Sequence, residues 1–314
     1  MKLHDDHGSF QELITVTAKY IGIPESAVKR DYYIVMMLQN LQNSEYADQC
    51  VFKGGTSLSK CYPDSINRFS EDIDLTYIPN DEMTTNAYDK VLKKVEAVMI
   101  GSAYFEKIDI ERNKRNKSAY VWFDKKDKEI SRLKLEIGSS VKPDPYEKIT
   151  LNTYIQQFLL INNMQDVIDV YEFQEVTVNT LCIERTFLDK VFAVKRHAIC
   201  NSLINKVRHI YDVTKLFQMK EVQEFLSNKE ELKGLIQKTK ETDSFYLEKR
   251  IINKEYNPTE PYSFEDWCQY FSADIRRRYE SLHEDLLYTN IKQDFNKAVD
   301  TFQKISQSFA EIEE

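Results

Sequence analysis

Apolar residues recur along this 314-residue chain at two different periods, and the change between them divides it. Near the start the spacing is helical. Phe10 to about Tyr20 and Glu25 to about Gln42 read as helices, the second opened by Pro24, with Val28, Tyr32, Val35, Leu38 and Leu41 near one face. From Cys50 the period shortens to two, and strands are predicted at about 50–53, 72–78, 105–112, 118–124 and 131–138, with a helix at about 87–100. Pro143 and Pro145 mark a domain edge. After Thr150 helical spacing returns and ends in a helix with Ile291, Phe295, Val299, Phe302, Ile305, Phe309 and Ile312 on one face. The pattern predicts an α/β (α+β) organisation: a mixed sheet with flanking helices over residues 1–145, then a mainly helical C-terminal domain over residues 146–314. No internal repeat or low-complexity tract interrupts it.

Within the strand region the chemistry concentrates in Phe52-Lys53-Gly54-Gly55-Thr56-Ser57-Leu58 and Arg68-Phe69-Ser70-Glu71-Asp72-Ile73-Asp74-Leu75. Gly54 and Gly55 are two of only seven glycines, and they follow the apolar run Cys50-Val51-Phe52. Such a pair lets the backbone turn tightly and approach a ligand. Thr56-Ser57 then opens a helix whose free N–H groups and dipole favour an anion, so a nucleotide triphosphate tail is the expected guest.

In the strand that follows, side chains two apart share a face. Asp72, Asp74 and Thr76 point one way, and Ile73, Leu75 and Tyr77 point into the core. Carboxylates about 6–7 Å apart on one face repel by roughly 1–3 kcal/mol. A divalent cation such as Mg²⁺, or Mn²⁺, removes that penalty and keeps positions open for phosphate oxygens. In Arg132-Leu133-Lys134-Leu135-Glu136-Ile137-Gly138 the same alternation exposes Glu136, either as a third ligand, as a general base, or as an ordinary solvent-facing residue beside Lys134.

The order Gly-Gly-Thr-x-Leu followed by Arg-Phe-Ser-x-Asp-Ile-Asp-Leu resembles the polymerase β-type nucleotidyltransferase superfamily. With sixteen residues between Gly55 and Asp72, and with Arg68-x-Ser70 before the first aspartate, it is most similar to the AbiE-type toxins of type IV toxin–antitoxin and abortive-infection systems. Arg30-Asp31-Tyr32 resembles that family's Lys-Asp-Tyr segment, Glu184-Arg185-Thr186 through Lys190 its Glu-Arg-Thr-x-x-x-Lys segment, and Arg208-His209 through Asp212 its Arg-His-x-x-Asp segment. The resemblance implies a nucleotidyltransferase-like sheet and catalytic roles for Asp72, Asp74, Glu136, Lys190 and Asp212. It also implies nucleotide contacts from Lys53, Gly54, Gly55, Thr56, Ser57, Arg68, Ser70, Lys190 and Arg208, and a metal held by Asp72, Asp74 and Glu136.

Local chemistry alone reads the second-half motifs more plainly. Lys190 lies at the edge of the stripe Ile183, Phe187, Val191, Val194 and Ala198, where it either snorkels outward or reaches a cleft. Arg208 and Asp212, four apart, are most simply a surface pair. Arg185 and Asp189 fall on the outward face of their helix.

Composition narrows the setting. A net charge of −8 argues against a generally basic nucleic-acid surface, although Arg112-Asn113-Lys114-Arg115-Asn116-Lys117 reads as a basic hairpin tip able to hold a phosphate backbone. Five cysteines without Cys-x-x-Cys spacing indicate neither a zinc site nor a disulfide framework, and no signal segment or membrane-length apolar run occurs, so a cytoplasmic protein is expected. The expected reaction moves an NMP from an NTP to a hydroxyl acceptor. The family resemblance points to a tRNA 3′ end as that acceptor, with growth arrest as outcome and a cognate antitoxin as partner. Competing readings are transfer to a small molecule or protein, a nucleotide-binding module without turnover, and an interaction protein docking through its phenylalanine-rich last helix.

Overall fold

The computed structural model of the protein describes residues 2–126, 128–129, 131–247 and 256–313. In chain order its elements are α1 (His7–Ile21), α2 (Glu25–Gln42), β1 (Cys50–Lys53), α3 (Gly54–Cys61), β2 (Asp72–Tyr77), α4 (Thr85–Ile100), β3 (Tyr104–Lys107), β4 (Asn116–Trp122), β5 (Leu133–Gly138), β6 (Tyr146–Leu151), α5 (Tyr154–Ile161), α6 (Gln165–Val170) and β7 (Val176–Leu181). The helices α7 (Ile183–Ile199), α8 (Val207–Leu216), α9 (Lys220–Ser227), α10 (Lys229–Leu247), α11 (Ala273–Glu280), α12 (Leu282–Asp285) and α13 (Phe295–Glu313) complete it. These elements form two compact units. One comprises Met1–Cys61, Phe69–Ser139 and Tyr146–Thr180, the other Tyr62–Arg68, Ser140–Pro145 and Leu181–Glu314.

The first unit is built on a mixed sheet in the order β3-β4-β5-β2-β1-β7-β6. β5 and the first part of β2 bury every second residue, with Ile73, Leu75, Leu133, Leu135 and Ile137 fully inside, while Thr76, expected on the polar face, is buried as well. The alternate residues therefore share the opposite face. β2 runs antiparallel to β1 and parallel to β5, which sets Lys53 opposite Asp74, Asp72 opposite Lys134 and Asp74 opposite Glu136. Helix α2 is tied to α3 by a buried ion pair between Asp31 and Lys60 at 2.5 Å. Lys60 also donates to the carbonyl of Asn152, and Asp31 accepts from the amide of Tyr154.

Three features depart from the sequence expectation. The strand expected to 112 stops at Lys107, and the backbone turns through a 3₁₀ segment at Asp109–Glu111. Two strands were not expected at all. β6 is a largely exposed edge strand with little apolar signal, while β7 hides its strand character behind buried polar residues. Asn179 there is satisfied by the carbonyls of Ala47, Asp48 and Cys50, so its amide needs no water. Because β6 and β7 complete the first sheet, residues 146–180 pack with the first unit, and a single cut at residue 145 does not describe the chain.

The second unit is helical around an aromatic core. Trp267, Tyr262 and Phe264 pack with Phe302 and Phe309 of α13, and Phe192 of α7 joins them. Phe295, Phe302, Ile305 and Phe309 are buried. The phenylalanine-rich face of the last helix is thus the core of its own unit, and the docking-helix reading loses its surface. Ile291, expected on that face, precedes the helix and is exposed. Among the described residues no helix is long and apolar enough to cross a membrane. All five cysteines are free, and burial pushes the Cys50 thiol up to about 12 and the Cys61 thiol up to about 11.

Candidate active site

The turn from β1 into α3 explains why glycine is needed at its first position. Gly54 adopts φ +87°, a left-handed conformation that side chains rarely take, and a Cβ built there would overlap the Asp74 carboxylate. The Gly-Gly turn and the Asp-x-Asp strand are therefore in contact, as the strand register of Lys53 with Asp74 requires. Gly54→Ala should meet both obstacles, destabilising the protein by about 1–3 kcal/mol and displacing Asp74. Gly234→Ala, on α10 with open space around it, is the matched comparison and should melt no lower than the unaltered chain. Thermal melts of the two variants check this.

The hydroxyls beyond the turn have partners within the protein. Thr56, almost fully buried, donates to the backbone carbonyl of Asp72, and its Oγ1 lies 2.9 Å from Ser70 Oγ. Ser57 is also buried and donates to the carbonyl of Gly54 at 3.0 Å. Thr56 thereby ties the turn to β2 and Ser57 closes the turn on itself, while the first backbone N–H groups of α3 lack partners within the helix.

On the polar face of β2 and β5, Asp72, Asp74 and Glu136 are half-buried, with Asp74 and Glu136 directly opposite on neighbouring strands about 4.8 Å apart. Glu136 is paired with Lys134, whose ammonium also lies 2.8 Å from Glu111. Burial pulls the Lys134 pKa down, but Glu111 and Glu136 outweigh it and hold it above the usual lysine range. Among the described residues no three His, Cys, Asp or Glu side chains already converge as a metal-ligand group. The oxygen-only chemistry of Asp72, Asp74 and Glu136 nevertheless suits a hard divalent cation.

The other candidates lie in the second unit, and two readings of them are corrected. Asp212 on α8 is no surface partner of Arg208. Its side chain is 0% exposed and accepts from Arg68 Nε at 2.6 Å, Arg68 Nη2 at 2.8 Å and Lys190 Nζ at 2.7 Å. Burial alone would raise the Asp212 carboxyl, but the charges of Arg68 and Lys190 override it and hold it far below the carboxylate range. Lys190 is buried at 7% exposure, and burial, reinforced by Arg68 and Arg208, lowers its pKa despite Asp212. Arg68 thus spends its planar fork on Asp212 in the bidentate geometry such pairs favour.

Arg185 likewise does not face outward. It is 1% exposed and holds Asp189, the carbonyl of Asp144 and the hydroxyl of Thr242. Its partners cross from α7 to α10 and to the segment Ser140–Pro145, a structural clamp.

The basic tip between β3 and β4 is also spoken for. Arg112 pairs with Glu96, Lys117 with Asp89, Lys114 donates to Asn86, and Arg115 lies over the Tyr88 ring, all on α4. These contacts pin the hairpin to α4, and carboxylates offset the charges of Arg112 and Lys117.

Two residues named in the sequence make contacts that it does not display. Asp31, inside the Arg30-Asp31-Tyr32 segment, anchors the cradle helix through Lys60, and Lys134 bonds the third carboxylate. The only sequence signal for Lys134 is its spacing of two from Glu136 on one strand face.

The family described as nucleotidyl transferase AbiEii toxin, type IV toxin–antitoxin system, matches residues 36–307. Among solved structures, the nucleotidyltransferase toxin MenT4 from Mycobacterium tuberculosis aligns over 95% of this chain and 98% of its own, with a TM-score of 0.49 at 18% identity. JHP933 from Helicobacter pylori aligns over 92% of this chain and 94% of its own, with a TM-score of 0.43 at 16% identity. No curated protein matches the chain in sequence. The family match begins within α2, ends within α13 and takes in both units, so the chain belongs to the AbiEii family of nucleotidyl transferase toxins of type IV toxin–antitoxin systems and is a nucleotidyltransferase.

Proposed function

We propose that this protein transfers an NMP from an NTP to the hydroxyl at a tRNA 3′ end in a reaction that requires Mg²⁺ or Mn²⁺, arresting growth in the cytoplasm unless its antitoxin partner is present. The observation that carries the reading is the seat of Gly54 against Asp74, which joins the Gly-Gly turn to the carboxylate pair in one piece of structure. Asp72 and Asp74, with Glu136, would hold the cation, which when bound offsets phosphate charge and favours attack at the α-phosphorus.

Each residue then has a separable task. The amides of Gly54 and Gly55 hold the β and γ phosphates, with Lys53 beside them and Thr56, Ser57 and Ser70 keeping the turn in place. Glu136 is either the third ligand or the acceptor of the proton from the attacking hydroxyl. Lys190, supported by Arg208, offsets charge on the transferring group, and Asp212 with Arg68 keeps Lys190 in place. This division follows from the family motifs together with the contacts each residue makes.

Purified protein incubated with each labelled triphosphate, Mg²⁺ and total RNA tests the proposal. Label should enter tRNA and be released by trimming the 3′-terminal nucleotide. Label on protein or on a small molecule, with tRNA unlabelled, would replace the acceptor. Absence of label from every triphosphate would overturn transfer itself.

A further inference from the structure

Lys134 holds a place on the sheet that the transfer reaction does not by itself require of a lysine. It lies in register with Asp72 and shares a strand face with Glu136, so one cation sits among three carboxylates. Its ammonium bonds Glu136, and it has a second partner in Glu111 at 2.8 Å, on the 3₁₀ turn after β3. The three side chains are 22%, 34% and 39% exposed, and pairs this open to water exchange partners readily.

We propose that Lys134 is a positioning residue that stands in for the divalent cation of the transfer reaction, holding Glu136 until the metal arrives and then passing to Glu111. This rests on the reading of Asp72, Asp74 and Glu136 as the metal carboxylates. Without metal, three like charges on one face repel, and one ammonium offsets part of that repulsion. A divalent ion there turns the ammonium from a partner into a like charge. Glu111 gives it somewhere to go without leaving the sheet. Lys134 therefore competes with the metal and sets the concentration at which the carboxylates fill. A lysine that acted only as a nearby charge would give the same gain on removal whether or not Glu136 is present.

Mn²⁺ alone, titrated into the full-length protein and followed by the loss of its free-ion electron paramagnetic resonance signal, provides the test. Lys134→Met should tighten Mn²⁺ binding about tenfold, since a unit charge within roughly 7 Å of a divalent ion is removed. Lys134→Arg should return it to near the unaltered value. Adding Glu136→Gln to Lys134→Met should abolish the gain. Glu111→Gln should shift binding the opposite way, weakening it about threefold, because Lys134 then has only Glu136. Tightening is the sign that general loosening of the sheet cannot give, and Lys134→Gln, expected to tighten binding likewise, carries the test should Lys134→Met fail to fold. Binding by Lys134→Met equal to or weaker than that of the unaltered chain, or Glu111→Gln without weakening, overturns the proposal. If Mn²⁺ binding by the unaltered chain ignores Asp72→Asn, the carboxylate assignment beneath it fails instead.

Discussion

Replacing Asp72 or Asp74 with Asn should reduce NMP transfer about a thousandfold or more, while the protein melts at the same temperature or slightly higher. The two effects separate because of where the pair lies. Both carboxylates are half-buried on the polar face of β2, whereas the packing of that strand is supplied by Ile73 and Leu75, which are fully buried on the other side. Removing one charge relieves repulsion without opening a cavity, so the stability change should stay within about 0.5 kcal/mol. Labelled-triphosphate incorporation and a thermal melt on the same preparation measure both. Normal incorporation by Asp72→Asn would remove the pair from the reaction.

The largest expected loss of stability lies elsewhere, at Asp212. Asp212→Ala leaves Arg68 and Lys190 buried around a missing carboxylate, at a cost of about 3–5 kcal/mol. Urea denaturation should report it as a lower midpoint with little change in slope. Lys190→Met should behave differently. Asp212 keeps both contacts to Arg68, so the midpoint should fall less, while transfer, if Lys190 serves the nucleotide, should collapse. Equal damage to stability and transfer from both variants would make the cluster purely structural. The pH dependence has a definite sign. Because the folded-state Asp212 pKa is lowered, its contribution is fully present above its unfolded value of about 3.9 and is lost only as pH falls through the lower folded value. Mild acidification to pH 5 should therefore leave the cluster intact.

The parts of the fold legible in the sequence were those in which one kind of residue repeats at one period. β2 and β5 alternate cleanly, α2 begins and ends where its apolar spacing does, and the Gly54-Gly55 pair stands out in a glycine-poor chain. What escaped was decided by partners far away in sequence. Asp212 looks like half of an exposed helical pair until Arg68 is placed against it, 144 residues earlier in the chain. Thr56 and Ser57 look like ligand-facing hydroxyls because the residue types suit a phosphate, yet the carbonyls of Asp72 and Gly54 take them first. Two charges of the basic hairpin are met in the same way, by Asp89 and Glu96 on α4. β7 was missed because Asn179 and Thr180 are polar residues in a core position, satisfied in a way no local window displays.

The pairing of Arg68 with Asp212 also imposes an order on synthesis. A ribosome adding about 5–20 residues each second needs on the order of ten seconds or more to cover the distance between them. Throughout that interval the nascent chain already carries the Gly-Gly turn, the carboxylate pair and, before long, Glu136, but its guanidinium has no counter-charge from α8. Chains released early, or a gene fragment ending at β7, would contain every residue of the first unit and none of the helix that anchors the segment leading into β2. The units are thus interlaced along the gene: the second takes Tyr62–Arg68 and Ser140–Pro145 from within the stretch that codes for the first, so no coding stretch specifies the second unit without the first.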